Sequence, residues 1–471
     1  MDRIRLPEEP MTDTRLSRRA LLGGALALPF GAPAAVAAAG ELPATISDDP
    51  LANSRFLLFG ARNLRRQSLR WAKRRGRTDM VAALINSLRY VEADARREAA
   101  NVLQKLTGAR IGADWARWVR WQQQHPEIRP FADYDVFLSA LFGSLDEGFQ
   151  DFIFPGVAHR IRLEEIVWGG VRARDGIPAL NDPRFLPAAS VDWLDDREPV
   201  FGVALDGDVR ALPHRILDWH EMFNGTIGGQ PVALAYCTLC AAGILYSRRV
   251  AGVDAPLTFG SSGLLYRSNK LMFDTHSNSL WNQFSGRPVV GAWAMRDLEL
   301  SVMPVATTTW GAWRRRHPHT RVLDRNTGFA QDYRPGKAYG AYFRSRDLMF
   351  PVATDGQRGR PKDRYFVLRL GGQHAAWPLS DFAGGAVVNA QVGVLSVVLV
   401  GDAKTRAVRA YRSDGRPFRL GPGSQELTDG DERFEIREAE LLGQRSARRF
   451  ARLPGHLGYG FGWQTFLAPS S

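Results

Sequence analysis

The sequence predicts an α+β chain, with an N-terminal helical-repeat segment followed by two related β-rich units. Three observations carry this. Apolar residues recur at helical spacing between about 55 and 154. After residue 151 short alternating runs take over, separated by Gly, Asp and Pro. Part of that second region then returns at a constant offset of 165 residues. At 471 residues the chain is too long for one ordinary core. Four segments follow: 1–39 an export signal, 40–155 helical, 165–325 the first β-rich unit and 326–471 the second.

The export signal rests on Ser17-Arg18-Arg19-Ala20-Leu21-Leu22, a twin-arginine pattern around Arg18 and Arg19. An uncharged Ala- and Gly-rich run follows to about Ala39, and Ala35-Val36-Ala37 offers small residues to a signal peptidase. Pro29 and Pro33 interrupt the run and argue against a spanning helix. The expectation is export in the folded state by the twin-arginine machinery to a periplasmic or other extracytoplasmic compartment. No stable membrane insertion is expected after signal removal. Translation can start at Met1 or at Met11, since both leave a complete basic leader. The net charge of +13 would attract nucleic acid, anionic lipid or an acidic substrate. No nucleic-acid recognition module accompanies it, so a solvated Arg-rich surface is expected and no nucleic-acid partner.

In the helical segment Val81, Leu84, Ile85 and Leu88 form one stripe, and Ala95, Ala99, Val102, Leu103 and Leu106 another. Gly108 is placed to end the second helix. The pair resembles a HEAT-type hairpin, which cannot bury its own face and needs neighbours. The basic run 62–77 reads as the wet face of the first helix. In the β-rich region, residues 200–212 form two strands around Asp206-Gly207, a dipeptide suited to a tight hairpin. Pro213 stops the second strand, and 214–223 reads as a short helix with Ile216, Leu217 and Phe223 inward. Shifted by 165, Phe201, Leu205, Gly207, Ala211 and Pro213 fall on Phe366, Leu370, Gly372, Ala376 and Pro378. The same shift places Gly228, Val232 and Tyr246 on Gly393, Val397 and Tyr411. A fainter echo matches Trp310 and Trp313 to Trp463 and Phe466. The offset and the shared hairpin grammar imply an internal duplication.

Both cysteines of the chain, Cys237 and Cys240, lie in the stretch 231–250. Their repeat equivalents are Asp402 and Thr405, inside a turn between two strands. A Cys-x-x-Cys on a strand–turn–strand knuckle is therefore expected, rather than one opening a long helix where the dipole lowers a thiol pKa. Three chemistries suit such a pair. A local disulfide would close a very short loop and add on the order of 1–2 kcal/mol. A thiol-based redox or catalytic site is the second. A transition-metal site is the third, and it needs further ligands, for which His214, His220, Asp274 and His276 are the candidates. Downstream, Gly260-Ser261-Ser262-Gly263 reads as a loop. Asn269, Asp274, Ser279, Trp281 and Gln283 then place polar tips among apolar residues, with Ser262 a further candidate for a polar pocket beside the cysteines. A hydrolase using Ser261 or Ser262 is disfavoured, because Gly-x-Ser-x-Gly is absent there.

Tyr236-Cys237-Thr238-Leu239-Cys240, 257–260 (Leu-Thr-Phe-Gly) with 262–265 (Ser-Gly-Leu-Leu), Asp274 with Ser279-Leu280-Trp281, and Trp313 with 317–320 (His-Pro-His-Thr) together resemble the domain of unknown function 3179 family. The likeness is strong over 175–325 and weak over 326–470. That family usually carries Pro where Thr238 stands and Gly where Ala241 stands. The resemblance implies an exported bacterial protein of undetermined activity, and supplies no reaction. Two function classes follow from the residues. One is a metal-binding or thiol-based site at the cysteine knuckle, acting on an unidentified small molecule or protein. The other is a non-catalytic periplasmic binding or assembly module with a structural disulfide. Whether the chain is an enzyme is not decided by these residues.

Overall fold

A computed structural model describes residue 42 and residues 45–174, 176–370, 372–423 and 425–467. The segment 1–39 expected to be an export signal, with Arg18 and Arg19, lies outside the described residues. Among the described residues, six α-helices form the N-terminal part: Pro50–Phe59, Arg62–Arg75, Val81–Tyr90, Ala93–Thr107, Trp115–Gln124 and Tyr134–Leu145. Asp49 caps the first by accepting from the Leu51 and Ala52 N–H groups. Gly76 and Gly108 end the second and fourth in the left-handed conformation that only glycine adopts without steric cost.

Val81–Tyr90 is the central helix. Val81, Leu84, Ile85 and Leu88 are buried as the spacing predicts, but so are Ala82, Ala83, Asn86 and Ser87 on its other faces. The basic helix Arg62–Arg75 is the second described helix, not the first. It buries Leu69, Trp71 and Ala72, while Arg65 pairs with Glu92, the residue before Ala93–Thr107, and Arg66 with Glu98 inside that helix. The helical core runs without a break into Leu264, Leu271, Phe273, Leu280 and Val290. The helices therefore close one face of the sheet that carries those residues. Among the described residues no helix is long and apolar enough to cross a membrane.

The β-rich part is built from hairpins. Pro199–Leu205 and Asp208–Pro213 pair from Val200↔Pro213 to Leu205↔Asp208. Asp206 and Gly207 take positive φ at the tip, as their side chains allow. Met222–Ile227, Gln230–Cys237 and Ala242–Ser247 form an antiparallel meander. Phe259–Tyr266, Asn269–Asp274, Leu280–Asn282 and Arg287–Val290 form another. Farther on, Arg364–Leu370 lies between Gln373–Pro378 and Gly455–Tyr459. Ala386–Val392, Leu395–Asp402 and Ala407–Arg412 begin an eight-stranded sheet. The two β-rich parts touch where the Tyr459 N–H donates to the Cys240 carbonyl (2.7 Å) and Arg452 Nη2 to the Val305 carbonyl (3.4 Å).

Three sequence expectations change. The short helix ends at His220, because Glu221 turns left-handed (φ 56°) and strand Met222–Ile227 begins at once. Gly260-Ser261-Ser262-Gly263 is not a loop. It lies inside Phe259–Tyr266, where Gly260 opposes Phe273 and Ser261 opposes Met272. A Cβ at Gly260 would stand 2.5 Å from the Phe273 ring, so the glycine serves packing. The tryptophan echo is displaced by three residues. Helices Trp310–Arg316 and Gly460–Phe466 each follow a strand that pairs with the first strand of its hairpin, and Trp313 and Trp463 are both fourth in their helices.

Candidate dithiol site

The turn 238–241 joins Gln230–Cys237 to Ala242–Ser247, the strand–turn–strand knuckle expected from the sequence. The Cys240 N–H donates to the Cys237 carbonyl (3.2 Å) and the Ala241 N–H to the Thr238 carbonyl (3.2 Å). Ala241 takes a positive φ of 47° to finish it. Both cysteines are unbonded and their sulfurs are 3.2 Å apart. Cys237 is 1% exposed and Cys240 0%.

The hairpin of Phe259–Tyr266 and Asn269–Asp274 brings its tip to the thiols. Asn269 Nδ2 donates to Cys240 Sγ (3.3 Å) and to Gln283 Oε1 (2.9 Å). Gln283 Nε2 in turn holds the Ala235 and Ala242 carbonyls, pinning the end of the cysteine hairpin. Cys240 Sγ also lies 3.6 Å from the Ser268 carbonyl. Burial pushes the Cys237 thiol up. The Cys240 thiol and the N–H groups of Lys270 and Cys240 act against that burial and hold Cys237 below its ordinary value. Burial, then the facing Cys237, drives Cys240 well above its own. Of the two, Cys237 is thus the more acidic thiol and Cys240 the less acidic.

Beside the thiols is a buried ionic cluster. Glu221 is 1% exposed and Lys270 3%. The Glu221 carboxylate accepts from Thr238 Oγ1 (2.9 Å), Ser261 Oγ (3.3 Å) and the Tyr339 hydroxyl (3.3 Å). Lys270 Nζ is 3.9 Å from its Oε2 and donates to the Glu221 carbonyl (2.9 Å). Thr238 belongs to the cysteine turn itself, so the carboxylate is tied to the knuckle. Tyr342 covers the turn from the other side, donating to the Leu239 carbonyl (2.7 Å).

Of the residues predicted from the sequence, Asn269 alone reaches a sulfur. Asp274 is four residues beyond Lys270 on the same strand, roughly 13 Å at ordinary strand rise. There it accepts from Trp281 Nε1, the Ser277 hydroxyl and the His276 and Ser277 N–H groups. Ser279 joins that group through Ser277 and accepts from the Trp293 N–H. His276 is exposed against Trp293. Ser262 bonds the Leu271 carbonyl at a bulge in its own hairpin. His214 stacks on Phe201. His220 is held between the Pro178 carbonyl and the Tyr333 hydroxyl, and burial lowers its pKa to about 4. None of the four proposed ligands lies with the cysteines. Among the described residues no three His, Cys, Asp or Glu side chains are grouped to hold a metal. Beside the two thiols stand only an amide and a carbonyl, with no third His, Cys, Asp or Glu grouped with them among the described residues, so the residues around the sulfurs fall short of a transition-metal donor set.

Sequence reasoning missed Glu221, Lys270, Thr238 and Tyr339. One signal was available: Lys270 directly precedes the apolar run Leu271-Met272-Phe273 in a strand, and a buried lysine needs a partner.

A family model described as a protein of unknown function, DUF3179, matches residues 174–471, which span both β-rich parts. No curated protein and no solved structure matches the chain. With more than half of its length matched, and the cysteine turn, the Glu221–Lys270 pair and Tyr339 all inside the matched region, the chain belongs to the DUF3179 family.

Proposed function

We propose that Cys237 and Cys240 are a dithiol–disulfide redox centre of an exported protein. The observation that carries this is the pair itself: two unbonded sulfurs face one another at 3.2 Å on one turn, with the Cys237 thiol held below its ordinary value and Cys240 above. In the exchange, the Cys237 thiolate attacks one sulfur of a partner disulfide and releases a partner thiolate. Cys240 then loses its proton and attacks the Cys237 sulfur of the mixed disulfide, freeing the second partner thiolate. Two electrons pass from the pair to the partner disulfide, and an intramolecular disulfide remains. With both sulfurs buried, access requires movement of the segment bearing Tyr339 and Tyr342.

The remaining parts of the reading have their own support. Export follows from the twin-arginine leader. HEAT-like packing is supported by the antiparallel pair Val81–Tyr90 and Ala93–Thr107. Duplication is supported by coincident bounds under the 165-residue shift: Pro199–Leu205 with Arg364–Leu370, Gln230–Cys237 with Leu395–Asp402, and Ala242–Ser247 with Ala407–Arg412. Ala241 and Arg406 fall on each other and both take positive φ. Only the first copy carries thiols.

Thiol counting in glutathione buffers of graded potential, on protein unfolded after equilibration, tests the centre. Both thiols should disappear together as one two-electron couple, and Cys237→Ser should abolish mixed-disulfide formation with a small disulfide. Two thiols that persist at every potential would overturn it. A second reading, a structural disulfide in a binding module, is favoured by the burial of both sulfurs. It predicts a disulfide that reductant reaches only after unfolding.

A further inference from the structure

The amide of Asn269 is fixed in one orientation. Gln283 Nε2 donates to the Ala235 (2.9 Å) and Ala242 (3.0 Å) carbonyls. Carbonyls only accept, so the amide nitrogen of Gln283 must face them and its Oε1 must face Asn269. That oxygen needs a donor, which Asn269 Nδ2 supplies at 2.9 Å. The second hydrogen of the same nitrogen is left for Cys240 Sγ, at 3.3 Å. Turning the Asn269 amide over would set oxygen against oxygen at Gln283. The cost of this orientation is visible in Asn269 Oδ1, which is buried and has no partner among the described residues. A buried acceptor left unpaired is expensive, and here it marks a side chain aimed for its donor.

The backbone supports the same aim. Arg267 (φ 46°) and Ser268 (φ 62°) form the hairpin tip between the paired residues Tyr266 and Asn269. Neither is glycine, and left-handed backbone is costly for such side chains. The tight tip makes Asn269 the first residue of its strand and sets the Ser268 carbonyl 3.6 Å from Cys240 Sγ. Cys240 thus has an acceptor for its S–H in Ser268 and a donor to its sulfur in Asn269. Asn269 is 0% exposed, so water competes little for that donor.

We infer that Asn269 is a catalytic residue that donates to the Cys240 thiolate as it forms, with Gln283 positioning it, and so makes Cys240 the thiol that resolves a mixed disulfide at Cys237. The inference rests on the dithiol–disulfide reading above. In the resolving step the Cys240 proton passes to solvent and the Cys240 thiolate bonds to the Cys237 sulfur. The bond from Cys237 to the partner sulfur breaks, and its electron pair leaves on the partner thiolate. Negative charge therefore appears on a buried sulfur before the new bond forms, where a hydrogen bond to it counts most.

A chromophoric aromatic disulfide added to the full chain reads both steps. Attack by Cys237 releases one coloured thiolate, and resolution by Cys240 releases the second. Asn269→Leu should leave the first release little changed and slow the second at neutral pH by about threefold to tenfold. That figure is a thiolate population lowered about tenfold to a hundredfold, partly offset by the greater nucleophilicity of a more basic thiolate. The pH profile of the second release should move up by about one to two units, which lost packing alone would not do. Asn269→Asp keeps the shape and should shift the profile the same way. Its neutral carboxyl has a single donor, which Gln283 takes, and its charged form repels the thiolate. Gln283→Met frees the amide to turn and should give a smaller shift in the same direction. Asn86→Leu removes a buried amide bonded to Tyr134 in the helical segment and should alter neither release. A second release with the wild-type rate and pH profile, in whichever Asn269 variant folds, overturns the role of Asn269 alone. No first release from the wild type overturns the dithiol reading, and this inference with it.

Discussion

Lys270→Met removes the cation of the buried cluster while keeping its length and leaving the Glu221 carboxylate in place. At 3.9 Å and an effective dielectric near 20, the attraction lost is about 4 kcal/mol. Breaking one side of a buried pair costs about 3–5 kcal/mol by the same reasoning, since the remaining charge stays desolvated. Three neutral donors on Glu221 soften that figure toward its lower end. The chain has several cores, so a single unfolding midpoint does not isolate the effect. Hydrogen exchange over Gln230–Cys237 and Asn269–Asp274 reads it locally, and exchange there should accelerate by about a hundredfold or more. The thiols supply a second readout. Glu221 raises the Cys237 pKa, so exposing its full charge should move thiolate formation to higher pH, and Glu221→Gln should move it lower. In a double-mutant cycle the two changes should be strongly non-additive. A cost below about 1 kcal/mol, additive losses, or a thiolate titration indifferent to both variants would refute a coupled Glu221–Lys270–Cys237 cluster.

Two further outcomes follow from the same structure. Burial raises Asp218 from its usual carboxyl range to about 8, so the folded chain holds a proton that the unfolded chain releases above about 4. Stability should therefore fall with rising pH between about 4 and 8, by about 1.4 kcal/mol per unit from this group. Asp218→Asn keeps the acceptor for Tyr236 and should flatten that slope relative to wild type in denaturant titrations. An unchanged slope contradicts the assignment. Gly243→Ala puts a Cβ 2.3 Å from the Phe201 ring beside the cysteine turn and should destabilise by about 1–3 kcal/mol. Gly207→Asn, at an open hairpin tip with positive φ, should cost well under about 1 kcal/mol, and equal losses at both sites would refute the packing account.

Local structure was legible wherever neighbours in sequence decide it. Val81, Leu84, Ile85 and Leu88 share a helix face at any tertiary context, Asp206-Gly207 takes a tight turn by its own φ preferences, and the knuckle under Cys-x-x-Cys was read from the turn 402–405, which lies 165 residues farther on. The family resemblance was legible too, from motifs that hold their order along the chain. The companions of the thiols were not. Glu221 enters the site because a helix stops one turn early and a left-handed residue redirects the chain. Lys270 enters because a hairpin formed 30 residues downstream lays its tip on the cysteine turn. Asp274 and Ser279, read as neighbours of the cysteines, lie instead at the far end of that hairpin. Spacing in sequence fixes which residues share a strand, but the crossing of separate sheets fixes which strands meet, and that depends on burying apolar faces scattered over the whole chain.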